Sequence, residues 1–261
     1  MQPPCTHCFR GDAEQIELNA NVIDNLLSQV KSINELCFTG GEPMLSISSM
    51  QYIFRTIQAN NIRLGRVSLV TNGLLVPKKF ISLMLDMEEY ISCKGEAPCI
   101  EIGVSCDRYH RNNNGDNFIA ACNDAFRGKS IAVLKQMTGA NPLRTGNAVG
   151  LGAFETTMHR QPLDADLAIA ITKDHCIKTQ LYLSAKGVLY SGAVASNTYQ
   201  YIDSVPAICN LHDETDVVQS IKVYNKKYGS AQSRVISDKT LAEVFTENVN
   251  LYIRMLIVGK R

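Results

Sequence analysis

Residues 36–43 of the chain read Leu-Cys-Phe-Thr-Gly-Gly-Glu-Pro, an apolar stretch that stops at two glycines, a glutamate and a proline. A short apolar run bounded by glycine is typical of a buried strand, so a strand is predicted over 36–39. Gly40 and Gly41 then predict a turn in which the backbone can come close to a ligand or to another segment.

The segments that follow alternate between helical and strand patterns. Helices are predicted over 22–33, from Ser48 or Ser49 to about residue 57, and over about 77–90. Two further strands are predicted, over 67–71 and 100–107, and the first of these stops at Asn72 and Gly73. Strands and helices alternating at this length favour an α/β fold with a parallel sheet and right-handed crossovers.

The strand predicted over 100–107 has two distinct faces, because successive side chains of a strand point to opposite sides. Ile100, Ile102, Val104 and Cys106 form an apolar face that is expected to pack under the helices. The other face carries Glu101, Gly103, Ser105 and Asp107 and would point into a barrel, with Ser105 and Asp107 at the carboxyl end. Ligands gather at that end in parallel α/β folds. A structural alternative is that Asp107 only caps the next turn and that Ser105 is incidental.

The second half of the chain has weaker patterns. A helix is predicted over 118–126, a strand over 131–134 and a hairpin over 181–190 with its turn at 185–187. Residues 138–152 are rich in Gly, Asn and Pro and predict a long loop. Apolar residues over 237–257 predict a terminal helix. No internal repeat and no clear linker is found, so a single domain over 1–261 is predicted.

Composition limits the classes of function. The 261 residues are 45% hydrophobic and 20% charged, which is ordinary for a globular protein with a sizeable core. The net charge of +1 gives no electrostatic case for nucleic acid or an anionic membrane. No run of residues predicts a membrane span or a signal peptide, so a cytoplasmic location is expected.

The chain contains nine cysteines, an odd number that argues against a closed disulfide framework. Most are interpreted as small buried hydrophobic residues, because they lie beside apolar residues. These are Cys37, Cys93, Cys99, Cys106, Cys122, Cys176 and Cys209.

Cys5 and Cys8 form a Cys-x-x-Cys pair, whose thiolates could share a metal or form a disulfide. A thioredoxin-like redox pair would need a preceding strand, and only Pro3 and Pro4 stand close before the pair. A structural zinc site would need two more ligands, and Cys93 and Cys99 have an unusual spacing for that role. An iron–sulfur cluster is the third interpretation.

The chain resembles the radical S-adenosylmethionine (radical SAM) enzymes in several motifs that occur in the order typical of that family. Cys5 and Cys8 match the second and third cysteines of the family's Cys-x-x-x-Cys-x-x-Cys motif, and His7 matches a residue near the cofactor's adenine. Gly40, Gly41 and Glu42 are similar to the Gly-Gly-Glu-Pro turn, which hydrogen-bonds the amino group of the cofactor's methionine moiety. Thr71 and Asn72 resemble the end of the next strand, and Ser105 and Asp107 resemble contacts to the ribose and carboxylate.

This resemblance implies a partial (β/α) barrel of the radical SAM type, with a parallel sheet and outer helices. It covers residues 1–111 well and 112–190 loosely, and leaves 191–261 as a C-terminal extension that contains the terminal helix. The implied cofactors are a [4Fe-4S] cluster and S-adenosylmethionine. The implied partners are an external flavodoxin- or ferredoxin-like electron donor and a small-molecule or peptide substrate. Reductive cleavage of S-adenosylmethionine would give a 5′-deoxyadenosyl radical that abstracts hydrogen from the substrate.

The chain departs from the family at its start. Met1 stands where the motif has its first cysteine, and the strand that precedes the motif in the family is absent. A late start of the chain is expected to cause both departures and to leave an unpaired edge beside the strand at 36–39. The alternative function is a degenerate or truncated, non-catalytic binding or accessory protein.

Overall fold

The computed structural model describes residues 16–76, 78–91, 98–106, 115–136, 181–191, 207–228, 242–243, 245–246 and 249–254. Five α-helices are complete within these residues, namely α1 (Ala20–Leu27), α2 (Ile47–Ala59), α3 (Lys78–Tyr90), α4 (Gly115–Ala125) and α5 (Val217–Tyr228). The strands are β1 (Ser32–Thr39), β2 (Arg63–Thr71), β3 (Ile100–Ser105), β4 (Ile131–Gln136), β5 (Leu181–Leu183), β6 (Val188–Ser191), β7 (Ala207–Asn210) and β8 (Val249–Arg254).

These strands form one sheet in the order β4-β3-β2-β1-β8-β5-β6-β7. The strands β1 to β4 pair in parallel, and α2, α3 and α4 connect them in turn. On the other side of β1, β8 pairs in parallel with both β1 and β5, while β6 pairs antiparallel with β5 and with β7. The predicted α/β class is therefore confirmed, with parallel pairing and connecting helices over β1 to β4, while the sheet as a whole is mixed.

The main core lies between the helices and one face of the sheet. Leu36 and Phe38 of β1 are fully buried together with Ile53 of α2 and Phe118 of α4. Burying such side chains contributes roughly 1.5–3 kcal/mol each to folding. Leu36 and Phe38 are two residues apart in β1 and so share one face of the sheet. The helices cover this apolar face.

The opposite face of the same strands is polar and only half-buried. Glu35 of β1, Ser68 of β2 and Glu101 of β3 lie on it, and the Ser68 hydroxyl donates to Glu35 Oε1 over 3.1 Å. Ile102 and Val104 are fully buried on the helix side of β3. The predicted division of this strand into an apolar and a polar face is thus confirmed for the described part of it.

Helix α1 is shorter than predicted. It ends at Leu27, while Val30 and Ile33, which also fit helical spacing, are buried outside it, and Ile33 already belongs to β1. A helical repeat can continue by chance into a following strand, because both elements bury apolar residues against one core.

The predicted terminal helix is wrong over residues 249–254, which form β8. Val249, Leu251 and Ile253 are buried at alternate positions, and Leu251 and Ile253 pair with Leu36 and Phe38 of β1. Residues 242–243 and 245–246 are helical, in agreement with the prediction, and residues 255–257 lie outside the described residues. Pairing between β1 and β8 bridges more than 200 residues of sequence, which a local periodicity does not reveal.

The predicted unpaired edge beside β1 is also wrong. β8 occupies that edge along β1 from Ile33 to Thr39, with a register shift between Ile33 and Glu35. The backbone groups on both sides of β1 are therefore paired within the sheet, and β1 is a central strand.

The C-terminal part of the chain is also tied to α1. Gln29 Nε2 donates to Thr215 O over 2.8 Å, and Gln29 Oε1 accepts from Val217 N, the first residue of α5, over 2.9 Å. Asn25 donates to the backbone carbonyls of Leu211 and Asp213. These amide side chains fix the connection between β7 and α5, neither of which was predicted from the sequence.

The described cysteines are mostly buried, as predicted. Cys37, Cys99 and Cys122 are buried, Cys106 and Cys209 are half-buried, and Cys93 and Cys176 lie outside the described residues. Burial raises the pKa of the Cys122 thiol to about 12, and burial raises that of Cys209 to about 11.

Cys122 gives a pH dependence of stability. Its folded pKa of about 12 lies above the ordinary thiol value of 9.0, so the thiol stays protonated in the native state after it has ionised in the unfolded state. The free energy of unfolding is therefore expected to fall as pH rises between these two values. Urea unfolding across this range should show a shallower fall for Cys122→Ala than for the wild type. An unchanged slope would contradict the assignment.

The place of β8 in the core gives a second prediction. Leu251 is fully buried, so Leu251→Ala is expected to lower the free energy of unfolding by about 2–5 kcal/mol. Val223 of α5 is 58% exposed, and Val223→Ala serves as the control, with a change within about 0.5 kcal/mol. Equal effects in urea unfolding would contradict a buried strand at 249–254.

Candidate functional site

The candidate site lies at the carboxyl ends of three neighbouring strands. Thr39, Thr71 and Ser105 are the last residues of β1, β2 and β3, and the parallel pairing brings these ends to one edge of the sheet. In open parallel sheets this is the edge at which ligands bind.

The turn after β1 is built on two glycines in the left-handed region. Gly40 has φ 72° and Gly41 has φ 52°, backbone conformations that residues with a Cβ rarely adopt. The turn leads into Glu42, which precedes a short 3₁₀ helix, Pro43–Leu45, and caps it by accepting from Met44 N over 3.1 Å. Pro43 fits the first helical position because its missing N–H would have no partner there.

The Glu42 carboxylate forms hydrogen bonds with the residues at the end of β2. Its Oε1 accepts from the Thr71 hydroxyl over 2.6 Å, and its Oε2 accepts from Asn72 N over 2.9 Å. Glu42 is only 3% exposed. A carboxylate buried to this extent needs charge-assisted hydrogen bonds to offset its lost hydration, and the β2 end supplies two of them.

The loop after β2 is held by its own side chains as well. Thr71 Oγ1 accepts from Gly73 N over 3.1 Å, and Asn72 Oδ1 accepts from Leu74 N over 3.0 Å. The second bond is an Asx turn, in which the side chain imitates a backbone turn. Gly73 follows with φ 70°, which suits glycine.

Gly73 also packs closely against the third strand and the helix after it. A Cβ at Gly73 would lie 2.8 Å from Val104 Cγ1 and 3.1 Å from the Cα of Gly115. Gly115 is the first residue of α4, and a Cβ there would lie 3.2 Å from the same Val104 atom. The β2 loop thus lies between the Glu42 turn on one side and the end of β3 on the other.

Ser105 lies at the same edge. Thr71 pairs with Val104, so Ser105 follows one position later beside Asn72, and it is half-buried. The structure therefore places Gly40, Gly41, Glu42, Thr71, Asn72 and Ser105 at the carboxyl ends of neighbouring strands. Cys5, His7, Cys8 and Asp107 lie outside the described residues.

Two of these residues have contacts that the sequence did not reveal. Glu42 was expected to complement a ligand's ammonium, but its carboxylate accepts hydrogen bonds from Met44 N, the Thr71 hydroxyl and Asn72 N. Thr71 was expected to contact the cofactor, but it is 2% exposed and its hydroxyl bonds Glu42. The packing of Gly73 was missed too, although an Asn-Gly step is a recognised turn signal.

The described residues contain no group of three or more His, Cys, Asp or Glu that could hold a metal ion. Within the same residues, no helix has the length and apolar character needed to cross a membrane. No protein-family model matches the chain, and no curated protein matches it.

The packing of Gly73 gives a third prediction. Gly73→Ala combines a left-handed backbone with a close contact to Val104, whereas Gly128→Ala has φ 74° and nothing within 4 Å of the new Cβ. Gly128→Ala is therefore expected to cost only the backbone strain, about 1–2 kcal/mol. Gly73→Ala should cost at least about 1 kcal/mol more, because overpacking adds to the strain. Equal losses in urea unfolding would contradict the close packing.

Proposed function

We propose that the chain is a radical S-adenosylmethionine enzyme. The observation that carries this proposal is the glycine turn of β1, joined through Glu42 to the end of β2, at the edge of the sheet where ligands bind. The Cys-x-x-Cys pair at Cys5 and Cys8 would add two of the three cysteine ligands of a cluster.

The described residues fit the methionine part of S-adenosylmethionine, which carries an ammonium and a carboxylate. Gly40 and Gly41 have no side chains, so a ligand can approach the backbone closely. Glu42 directly follows this turn, and a carboxylate favours a nearby cation. Asn72 and Ser105 add polar groups that suit a carboxylate and hydroxyls.

Cys5 and Cys8 would hold an iron–sulfur cluster, because thiolates are its usual protein ligands. When bound, such a cluster supplies the electron that cleaves S-adenosylmethionine to methionine and a 5′-deoxyadenosyl radical. The chain's own residues would bind and orient the cofactor and shield it from water. A flavodoxin- or ferredoxin-like protein in the cytoplasm would provide the electron.

The polar face of the sheet would hold the substrate in this proposal. It carries Glu35, Ser68 and Glu101, and it would form the inside of a partial barrel whose outside is covered by helices. Hydrogen abstraction from a small molecule or a peptide would take place over this face.

Anaerobic reconstitution with iron and sulfide tests the proposal. The wild type is expected to gain the absorbance of an iron–sulfur cluster and to release 5′-deoxyadenosine from S-adenosylmethionine under a strong reductant. Cys5→Ala and Cys8→Ala should lose both signals, because each removes a cluster ligand. Cys209→Ala, a change of the same kind at a half-buried cysteine outside the motif, should keep both.

A second candidate, a non-catalytic relative that binds a ligand, is favoured by Glu42, whose carboxylate accepts hydrogen bonds within the protein. The two candidates are separated by Met1→Cys, which completes the motif. The substitution is made in a fusion protein, in which an N-terminal tag precedes residue 1. The enzyme proposal predicts more bound iron and more 5′-deoxyadenosine than in the unsubstituted fusion. A fusion that binds no cluster and cleaves no cofactor, even with the completed motif, would contradict it and support the second candidate.

A further inference from the structure

We propose that Thr71 is a positioning residue, which fixes the distance between the two sides of the candidate cofactor site through Glu42. This inference rests on the proposed function, because the site it shapes is the one assigned to S-adenosylmethionine. It assigns Thr71 a role different from direct contact with the cofactor.

The hydroxyl of Thr71 acts both as a hydrogen-bond donor and as an acceptor within the protein. It donates to Glu42 Oε1 over 2.6 Å and accepts from Gly73 N over 3.1 Å. Thr71 is 2% exposed, so its side chain offers no surface to a ligand. Any effect of Thr71 on a ligand must therefore pass through Glu42 or through the loop that follows β2.

Glu42 accepts hydrogen bonds from two consecutive residues, Thr71 and Asn72. Asn72 N donates to the other carboxylate oxygen over 2.9 Å, so the carboxylate is held at both oxygens by consecutive residues. Two-point pairing fixes the orientation of a carboxylate as well as its position. Glu42 also accepts from Met44 N and so caps the 3₁₀ helix Pro43–Leu45, while Gly41 directly precedes Glu42 in the chain.

The other side of the segment is fixed by packing. Gly73 lies against Val104 and Gly115 so closely that a methyl group would approach Val104 Cγ1 to 2.8 Å. Val104 immediately precedes Ser105. The segment 71–73 therefore spans the site, with the β1 turn on one side and the end of β3 on the other.

This arrangement matters for a ligand that is held from two sides. An amino-acid moiety presents an ammonium and a carboxylate at a fixed separation, so the groups that receive them must keep a fixed separation too. Thr71 sets that separation without touching the ligand.

Thr71→Val tests the proposal, because it keeps the branched shape and removes the hydroxyl, while Thr71→Ser keeps the hydroxyl. The first readout is amide hydrogen exchange of the protein without cofactor. Exchange at Asn72 and Gly73 is expected to be faster in Thr71→Val, since the Glu42 contact is weakened and Gly73 N loses its acceptor. Thr71→Ser should restore slow exchange.

The second readout is equilibrium binding of S-adenosylmethionine to the reconstituted protein. Thr71→Val is expected to weaken binding by about 10–100-fold, by analogy with the loss of residues that orient metal ligands. Thr71→Ser should stay within about threefold of the wild type. Thr56→Val is the matched control, a buried threonine of α2 whose hydroxyl contacts Asp24, and it should leave binding unchanged.

The outcomes separate this inference from the proposed function. Wild-type exchange rates in Thr71→Val, or faster exchange with unchanged affinity, would overturn the positioning role. A wild-type protein that binds no S-adenosylmethionine would instead overturn the proposed function and, with it, any role of Thr71 toward that ligand. Weaker binding in Thr71→Val, rescued in Thr71→Ser, would support both.

Discussion

The buried carboxylate of Glu42 is the constraint on which the candidate site depends. A charge that is 3% exposed is tolerated only where donors surround it, and here the donors come from its own turn and from the end of β2. The need to pair this charge therefore determines how the two loops meet. Gly40 and Gly41 suit this turn because residues with a Cβ rarely adopt φ values of 72° and 52°.

The sheet makes this meeting possible. Parallel pairing of β1 with β2 and of β2 with β3 brings three carboxyl ends to one edge, and β8 completes the hydrogen bonding of β1 on its other side. β1 is thus a central strand whose backbone groups are paired on both sides, and the turn after it starts from a rigid base. The same topology leaves the polar face of the strands on the side of the sheet away from the helices. The proposed substrate would lie on that face.

Much of the first half of this fold could be predicted from the sequence, because β1, β2 and β3 are apolar runs that end at turn residues. β8 could not be predicted, since the apolar residues around it also fit helical spacing and its partner is distant in sequence. The turns at the ends of β1 and β2 could be recognised from the sequence, because glycines and polar residues follow the apolar runs there. The hydrogen bond that joins these two turns could not be predicted, because the contact between Glu42 and Thr71 depends on pairing between β1 and β2.

The coupling free energy between Glu42 and Thr71 is the most direct test of this account. A double-mutant cycle of Glu42→Ala and Thr71→Val, measured by urea unfolding, isolates the contribution of their contact. A hydrogen bond to a buried charge should give a coupling of about 1.5–3 kcal/mol. Additive effects of the two substitutions, with a coupling near zero, would contradict the claim that this bond joins the two loops.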